Sequence, residues 1–214
     1  VGDDELLANW AGLGYYSRAR NLREAARQIV AAGSFPGTLD EIRDLKGVGE
    51  YTAAAVGSIA FGIPSAAVDG NVLRVMARLL NDASDIQRPQ TKAAFRDEAQ
   101  RLLAARRPGD FNQSMMELGA TVCTSRQPQC AICPVAGICA AFAAGTAREL
   151  PVKLRNTKKV QEEVTVWWVE RDGKVLLRKR GEGEAKLAGF WELPRAGEVQ
   201  GRPARTAAGK FRHF

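Results

Sequence analysis

The sequence predicts a mainly α-helical bundle followed by the beginning of a smaller α+β unit. Three observations carry this. Up to about residue 122, apolar residues recur at helical spacing between short connections, and helix-start signals punctuate them. Four cysteines then fall within seventeen residues. After Ala144 the composition changes, and a basic stretch leads into apolar runs around an Asp-Gly pair, a strong hairpin signal. The expected divisions are 1–122, helical; 123–145, a cysteine loop; 146–162, a basic linker; and 163–214, a partial β-containing domain.

Taken in order, Asp3 to Trp10 reads as the end of a helix, leading to the glycine-rich aromatic turn Trp10-Ala11-Gly12-Leu13-Gly14-Tyr15-Tyr16. Ser17 is placed to cap the next helix, whose apolar face is Leu22, Ala25, Ala26, Ile29 and Val30 and which ends at Gly33. Thr38 and Glu41 form a capping box for a short helix. A Gly47-Val48-Gly49 turn follows, with glycines that permit positive φ at its corners, and then a helix to about Phe61. The amides opening that helix have no partners within it and suit an anion. Asp69 caps another helix, Gly70 to Leu80. Pro89 and Pro108 begin two more, the second ending close to Cys123.

A hydrophobic fraction of 45% is that of a globular protein, and a net charge of +7 favours a polyanionic partner. The single histidine, His213, excludes a His-rich metal site and disfavours His-dependent nucleophiles. Tyr51 to Val68 carries no charge, but Gly57, Gly62 and Pro64 interrupt it, so a buried helix and loop is expected in place of a membrane span. With no secretory segment at its start, the protein is expected in the cytoplasm. The sequence begins on Val and stops on Phe214 in mid-pattern, so it reads as a fragment.

Cys123, Cys130, Cys133 and Cys139 are spaced C-x6-C-x2-C-x5-C. Clustered thiols in this setting bind metal more often than they pair, and four thiolates suit either tetrahedral zinc or an iron–sulfur cluster. Spacing alone does not choose between them.

Together L-K-G-V-G-E-Y-T-A, V-D-G-N-V, G-L-G-Y-Y-S-R-A-R-N-L and the cysteine spacing resemble the helix-hairpin-helix, Gly-Pro-Asp base-excision glycosylases, specifically the adenine DNA glycosylases of the MutY type. The resemblance covers nearly the whole chain and implies a [4Fe-4S] cluster on the four cysteines. It implies that Gly47, Val48 and Gly49 grip a DNA phosphate and that Tyr15 wedges beside the base opposite the target. It makes Asp69 the carboxylate that stabilises an oxocarbenium-like sugar, with Asn71 orienting the reacting groups. Tyr51 stands where related lyases carry a Schiff-base lysine, so a monofunctional hydrolase is expected. The partner is double-stranded DNA with an adenine mispaired with 8-oxoguanine or guanine, and the protein is expected to act as a monomer, at the bacterial nucleoid and away from membranes. The later V-x-V run and G-F-W-E-L-P resemble a Nudix-like C-terminal domain, without the glutamates of a metal-binding Nudix box.

The family's general-acid glutamate lies in an L-Q-Q-T helix that this sequence lacks, and Glu5 stands in the wrong context to replace it. Excision by these residues alone is therefore expected to be severely impaired. Two other readings stand beside the first: an endonuclease III-like pyrimidine-lesion glycosylase/lyase, and a non-catalytic iron–sulfur module that binds DNA.

Overall fold

The chain divides into two compact units, residues 1–155 and 156–214. The computed structural model describes residues 2–154, 161–181, 183–184, 187–195, 197–199 and 205–212; of 161–163 and 205–212 it describes the backbone.

The first unit contains helices α1 (Asp3–Asn9), α2 (Ser17–Ala32), α3 (Leu39–Arg43), α4 (Glu50–Phe61), α5 (Gly70–Leu79), α6 (Pro89–Leu102), α7 (Pro108–Glu117) and α8 (Ala140–Ala144). Most start and stop where the sequence expects. Thr38 Oγ1 accepts from the Glu41 amide at 3.3 Å and Glu41 Oε2 accepts from the Thr38 amide at 3.0 Å, a complete capping box for α3. Gly33 closes α2 in the left-handed region. One cap differs: Ser17 is the first helical residue of α2, and Tyr16 occupies the N-cap without a side-chain bond. The turn before it is already braced, because Trp10 Nε1 donates to the Gly14 carbonyl at 3.2 Å and the Arg18 amide to that of Tyr15 at 2.8 Å.

Helix α5 is the hub. Val72, Leu73, Val75, Met76 and Ala77 are buried on it and form one core with Ala66, Ile86, Phe95, Ala99 and Met115. Burying each large side chain contributes about 1.5–3 kcal/mol. The loop that feeds α5 has an unusual support. Asn112, buried on α7, accepts from the Ala67 amide at 2.9 Å and donates to the Ser65 carbonyl at 2.8 Å. Gln100 on α6 accepts from the Ala66 amide at 2.8 Å and donates to the Pro64 carbonyl at 3.0 Å. These two carboxamides satisfy backbone groups of the loop, among them the amides of the buried Ala66 and Ala67.

Past α7 the helix widens into a π-helical turn, Leu118–Val122, that delivers Cys123. The first residues of the expected linker are packed into this unit: Ala147 and Leu150 are buried with Ala141, and the Val152 carbonyl accepts from Ile86. Their apolar side chains complete a small core under the cysteines, which places the start of any linker later than residue 146. Residues 155–160 of that stretch lie outside the described residues. No described helix is long and apolar enough to cross a membrane.

In the second unit, β2 (Glu170–Arg171) and β3 (Lys174–Val175) pair antiparallel about Asp172 (φ 50°) and Gly173 (φ 69°). Both central residues have positive φ, the mark of the two-residue hairpin turn that Asp-Gly favours. The hairpin is shorter than the apolar runs suggest. The strand before it, β1 (Gln161–Trp168), pairs instead with the distant β6 (Arg205–Arg212), from Gln161 opposite Arg212 to Trp168 opposite Arg205. A third pair joins β4 (Arg178–Lys179) to β5 (Trp191–Glu192), the latter inside G-F-W-E-L-P. Lys210 to Arg212 therefore lie in a strand, while His213 and Phe214 are outside the described residues.

Candidate active site

Asp69 caps α5 and both of its oxygens are engaged. Oδ1 accepts from the Asn71 and Val72 amides at 2.9 and 2.8 Å, and Oδ2 from Asn71 Nδ2 at 3.1 Å. The carboxylate is half-buried, fixed in direction and still reachable. Asn71 is oriented in turn: its Oδ1 accepts from Arg74 Nη2 at 3.0 Å. Arg74 also donates to the carbonyls of Gly119 (2.6 Å) and Cys123 (2.8 Å), so it anchors the pair to the π-helical turn.

Tyr51, in the first turn of α4, is part-exposed, and its hydroxyl donates to Met116 Sδ at 3.2 Å. Partial burial, with the negative Asp69 nearby, pushes its phenol pKa up from the usual value, so it stays protonated through neutral pH. Gly49, Tyr51 and Val68, the residue before Asp69, line one cleft, and a Glu50–Arg96 ion pair of 2.6 Å contributes to its wall. Among the described residues no lysine lines this cleft. Lys46 is exposed on the turn, its amide held by Gln28 Oε1 at 2.7 Å.

Of the two hairpin glycines only Gly47 uses positive φ (77°); Gly49 is extended and forms the N-cap of α4. A Cβ on Gly47 would lie 2.5 Å from the Asn21 side chain, so α2 presses directly on the corner. Asn21 and Gln28 thus buttress the turn from the helix whose N-terminal loop bears Tyr15, which is 82% exposed at φ 47°.

All four cysteines line a single cavity with apolar neighbours that include Val75, Leu79 and Val135. Four thiols ringed around one cavity suit a tetrahedral zinc ion or an iron–sulfur cluster. The charge around them agrees. Arg78 is 1% exposed, yet among the described residues no carboxylate pairs with it. Its guanidinium donates to the carbonyls of Leu150 (2.9 Å), Cys123 (3.2 Å), Thr124 (2.7 Å) and Ser125 (3.3 Å), and to Cys123 Sγ (3.2 Å). A buried cation needs an anion, and thiolates ligating a cluster supply it. Burial, then the neighbouring Cys123 and Cys139, push the Cys130 thiol up, as expected of ligands that ionise only on binding metal.

Arg74, Arg78 and Gly119 were not singled out from the sequence. A signal existed for Arg78: it interrupts the apolar face N-V-L-R-V-M-A-R-L-L, four residues after Arg74. A Cβ on Gly119 would come 2.8 Å from Asn71 Cβ and 3.2 Å from its carbonyl carbon. Gly119→Ala is therefore expected to cost about 1–3 kcal/mol by overpacking, read as a lower thermal midpoint. An unchanged midpoint would show that the turn has room to yield.

Comparison with known proteins agrees with this geometry. Residues 1–101 match the HhH-GPD superfamily of base excision DNA repair proteins, and residues 123–139 the iron-sulfur binding domain of endonuclease III. The first of these matches covers nearly half of the chain. The relatives the chain resembles are adenine DNA glycosylases, the family its motifs resemble. It is 41% identical over 205 residues to an adenine DNA glycosylase of Arabidopsis thaliana, covering 89% of this chain and 32% of that protein. It is 48% identical over 141 residues to that of Homo sapiens (64% and 26%) and 40% over 158 residues to that of Mycolicibacterium smegmatis (68% and 51%). The chain thus spans between about a quarter and a half of these relatives. Among solved structures, a thermostable thymine-DNA glycosylase superposes with a TM-score of 0.58 at 29% identity, covering 67% of each chain. Endonuclease III in a non-covalent complex with DNA gives 0.56 at 28%, covering 68% of this chain and 67% of that one. The iron-sulfur match runs from Cys123 to Cys139, spans all four cysteines and supports a [4Fe-4S] cluster in this family.

Proposed function

We propose that this chain carries the Asp69 half of the catalytic machinery and the cluster loop of a monofunctional DNA glycosylase. It hydrolyses the N-glycosidic bond of adenine mispaired with 8-oxoguanine or guanine in double-stranded DNA, acting as a monomer. The single observation that carries this is Asp69: a carboxylate held by three hydrogen bonds at the half-exposed mouth of a helix, next to the cleft that Tyr51 lines.

An adenine must leave the stack before its glycosidic bond is accessible. With the nucleotide extruded into the Tyr51 cleft, Asp69 faces the sugar and stabilises positive charge that develops as the bond breaks. Asn71, held by Arg74, keeps that carboxylate from turning away. Tyr51 offers a protonated phenol where a lyase needs an amine, so water completes the reaction and no imine forms. Glu5 is exposed on α1.

The amides at the start of α4 and the Gly47 corner grip a phosphate, while Tyr15 enters the stack beside the opposite base. The cluster holds the loop between Cys123 and Cys139 in shape and takes no part in hydrolysis. The second unit begins a Nudix-like domain that inspects the oxidised base; its short strands and G-F-W-E-L-P segment support that reading.

The test is release of adenine from a duplex with an A:8-oxoguanine pair, using the natural reading frame that contains this chain. Release without borohydride-trappable imine is expected. Imine trapping would favour the endonuclease III-like lyase, and DNA binding without any release the non-catalytic module. Separately, Cys133→Ser is expected to abolish the brown cluster absorbance and weaken DNA affinity. A visible spectrum like the parent's would remove the cluster assignment.

A further inference from the structure

The loop from Trp10 to Arg18 exposes two large apolar side chains, Leu13 (61%) and Tyr15 (82%). Tyr15 sits at φ 47°, a conformation that non-glycine residues seldom adopt and that something must hold. Beside the Trp10–Gly14 bond and the bond from the Arg18 amide to the Tyr15 carbonyl, the Arg18 side chain meets the loop at three points. Its guanidinium carbon lies 5.7 Å from the Trp10 ring centroid and 5.6 Å from that of Tyr15, and its Nη2 donates to the Leu13 carbonyl at 3.3 Å. Neighbouring basic residues are committed elsewhere: Arg20 and Arg23 both contact Asp3. Among the described residues no carboxylate draws Arg18 away from the rings.

We propose that Arg18 is the positioning residue of the DNA wedge, a cation shared by two aromatic rings that fixes the direction in which Tyr15 projects. This rests on the reading of Tyr15 as the residue that enters the base stack. A free tyrosine on a glycine-rich loop would have to be ordered on binding, at a cost in affinity. A braced one enters already aimed. The rival role for an exposed arginine at this place is a phosphate contact, which acts independently of Tyr15 and adds to the salt dependence of binding.

A double-mutant cycle separates the two. Affinity for a duplex with an A:8-oxoguanine pair is measured by anisotropy against salt for the parent, Arg18→Met, Arg18→Lys, Tyr15→Ala and Arg18→Met with Tyr15→Ala. One exposed cation–π contact corresponds to a change of about 2–5-fold. Arg18→Met is expected to weaken binding by about that factor with an unchanged salt slope, and Arg18→Lys to recover most of it. On Tyr15→Ala, the same Met substitution is expected to change almost nothing. Equal losses in both backgrounds, with the salt slope reduced by about one, would make Arg18 a phosphate contact and overturn the proposal. If Tyr15→Ala alone leaves affinity unchanged, the wedge reading itself fails, and the brace with it.

Discussion

Asp69→Asn is expected to reduce adenine release by about 100-fold to 1,000-fold, with DNA affinity nearly unchanged. In the proposed function the carboxylate contributes most when the sugar is most cationic, so its loss is expected to fall on the transition state and to spare the bound substrate. Asparagine is as good an N-cap as aspartate, so the bonds from the Asn71 and Val72 amides survive and α5 stays capped. What is lost locally is the Oδ2 acceptor of Asn71 Nδ2, since Arg74 holds Asn71's oxygen and prevents a compensating flip. That costs about 1–2 kcal/mol of stability. Single-turnover release and duplex binding, measured on the same preparation, decide it. Equal losses in both would mean that Asp69 builds the site without acting in it.

Arg78→Met is expected to be the most destabilising single change in the helical unit, about 3–5 kcal/mol. Methionine fills much of the volume but leaves the carbonyls of Leu150, Thr124 and Ser125 without their donor, while that of Cys123 keeps Arg74 Nε. It also removes the cation beside Cys123 Sγ. Urea unfolding should show an earlier midpoint, accompanied by loss of the cluster absorbance before the helices melt. A variant that keeps both midpoint and colour would show that these carbonyls find other partners. Arg78→Lys tests the geometry: one ammonium with three donors cannot span acceptors that a planar fork reaches.

Much of the local structure was legible because its signals are local. The Thr38–Glu41 box, the Asp69 cap and the Asp172-Gly173 turn each place their own bonds within three residues, and all three occur as expected. The cysteine spacing likewise marked one cavity. What the residues did not reveal depends on distant partners. Strand β6 contains Ala207-Ala208-Gly209, which has little strand propensity of its own, and it pairs with β1 from about forty residues away. Arg78 reads as a surface charge until the carbonyls of the cysteine loop are seen to enclose it. Ser17 had the right chemistry for a cap, but the Trp10–Gly14 and Arg18–Tyr15 bonds moved the helix start one residue earlier.

The segment from Pro64 to Ala67 lies flush against two helices without a strand beside it, and the arms of Gln100 and Asn112 stand in for one. An amide side chain offers a separate donor and acceptor side by side, so one group can serve an N–H and a carbonyl two residues apart. A carboxylate at either place would face the carbonyl it replaces a donor for, and an aliphatic residue would strand both groups. The loop that leads into Asp69 is therefore supported by two neutral residues that border neither the cleft nor the cysteine cavity. A change there would shift that loop while Asp69, Asn71 and Tyr51 still read as intact.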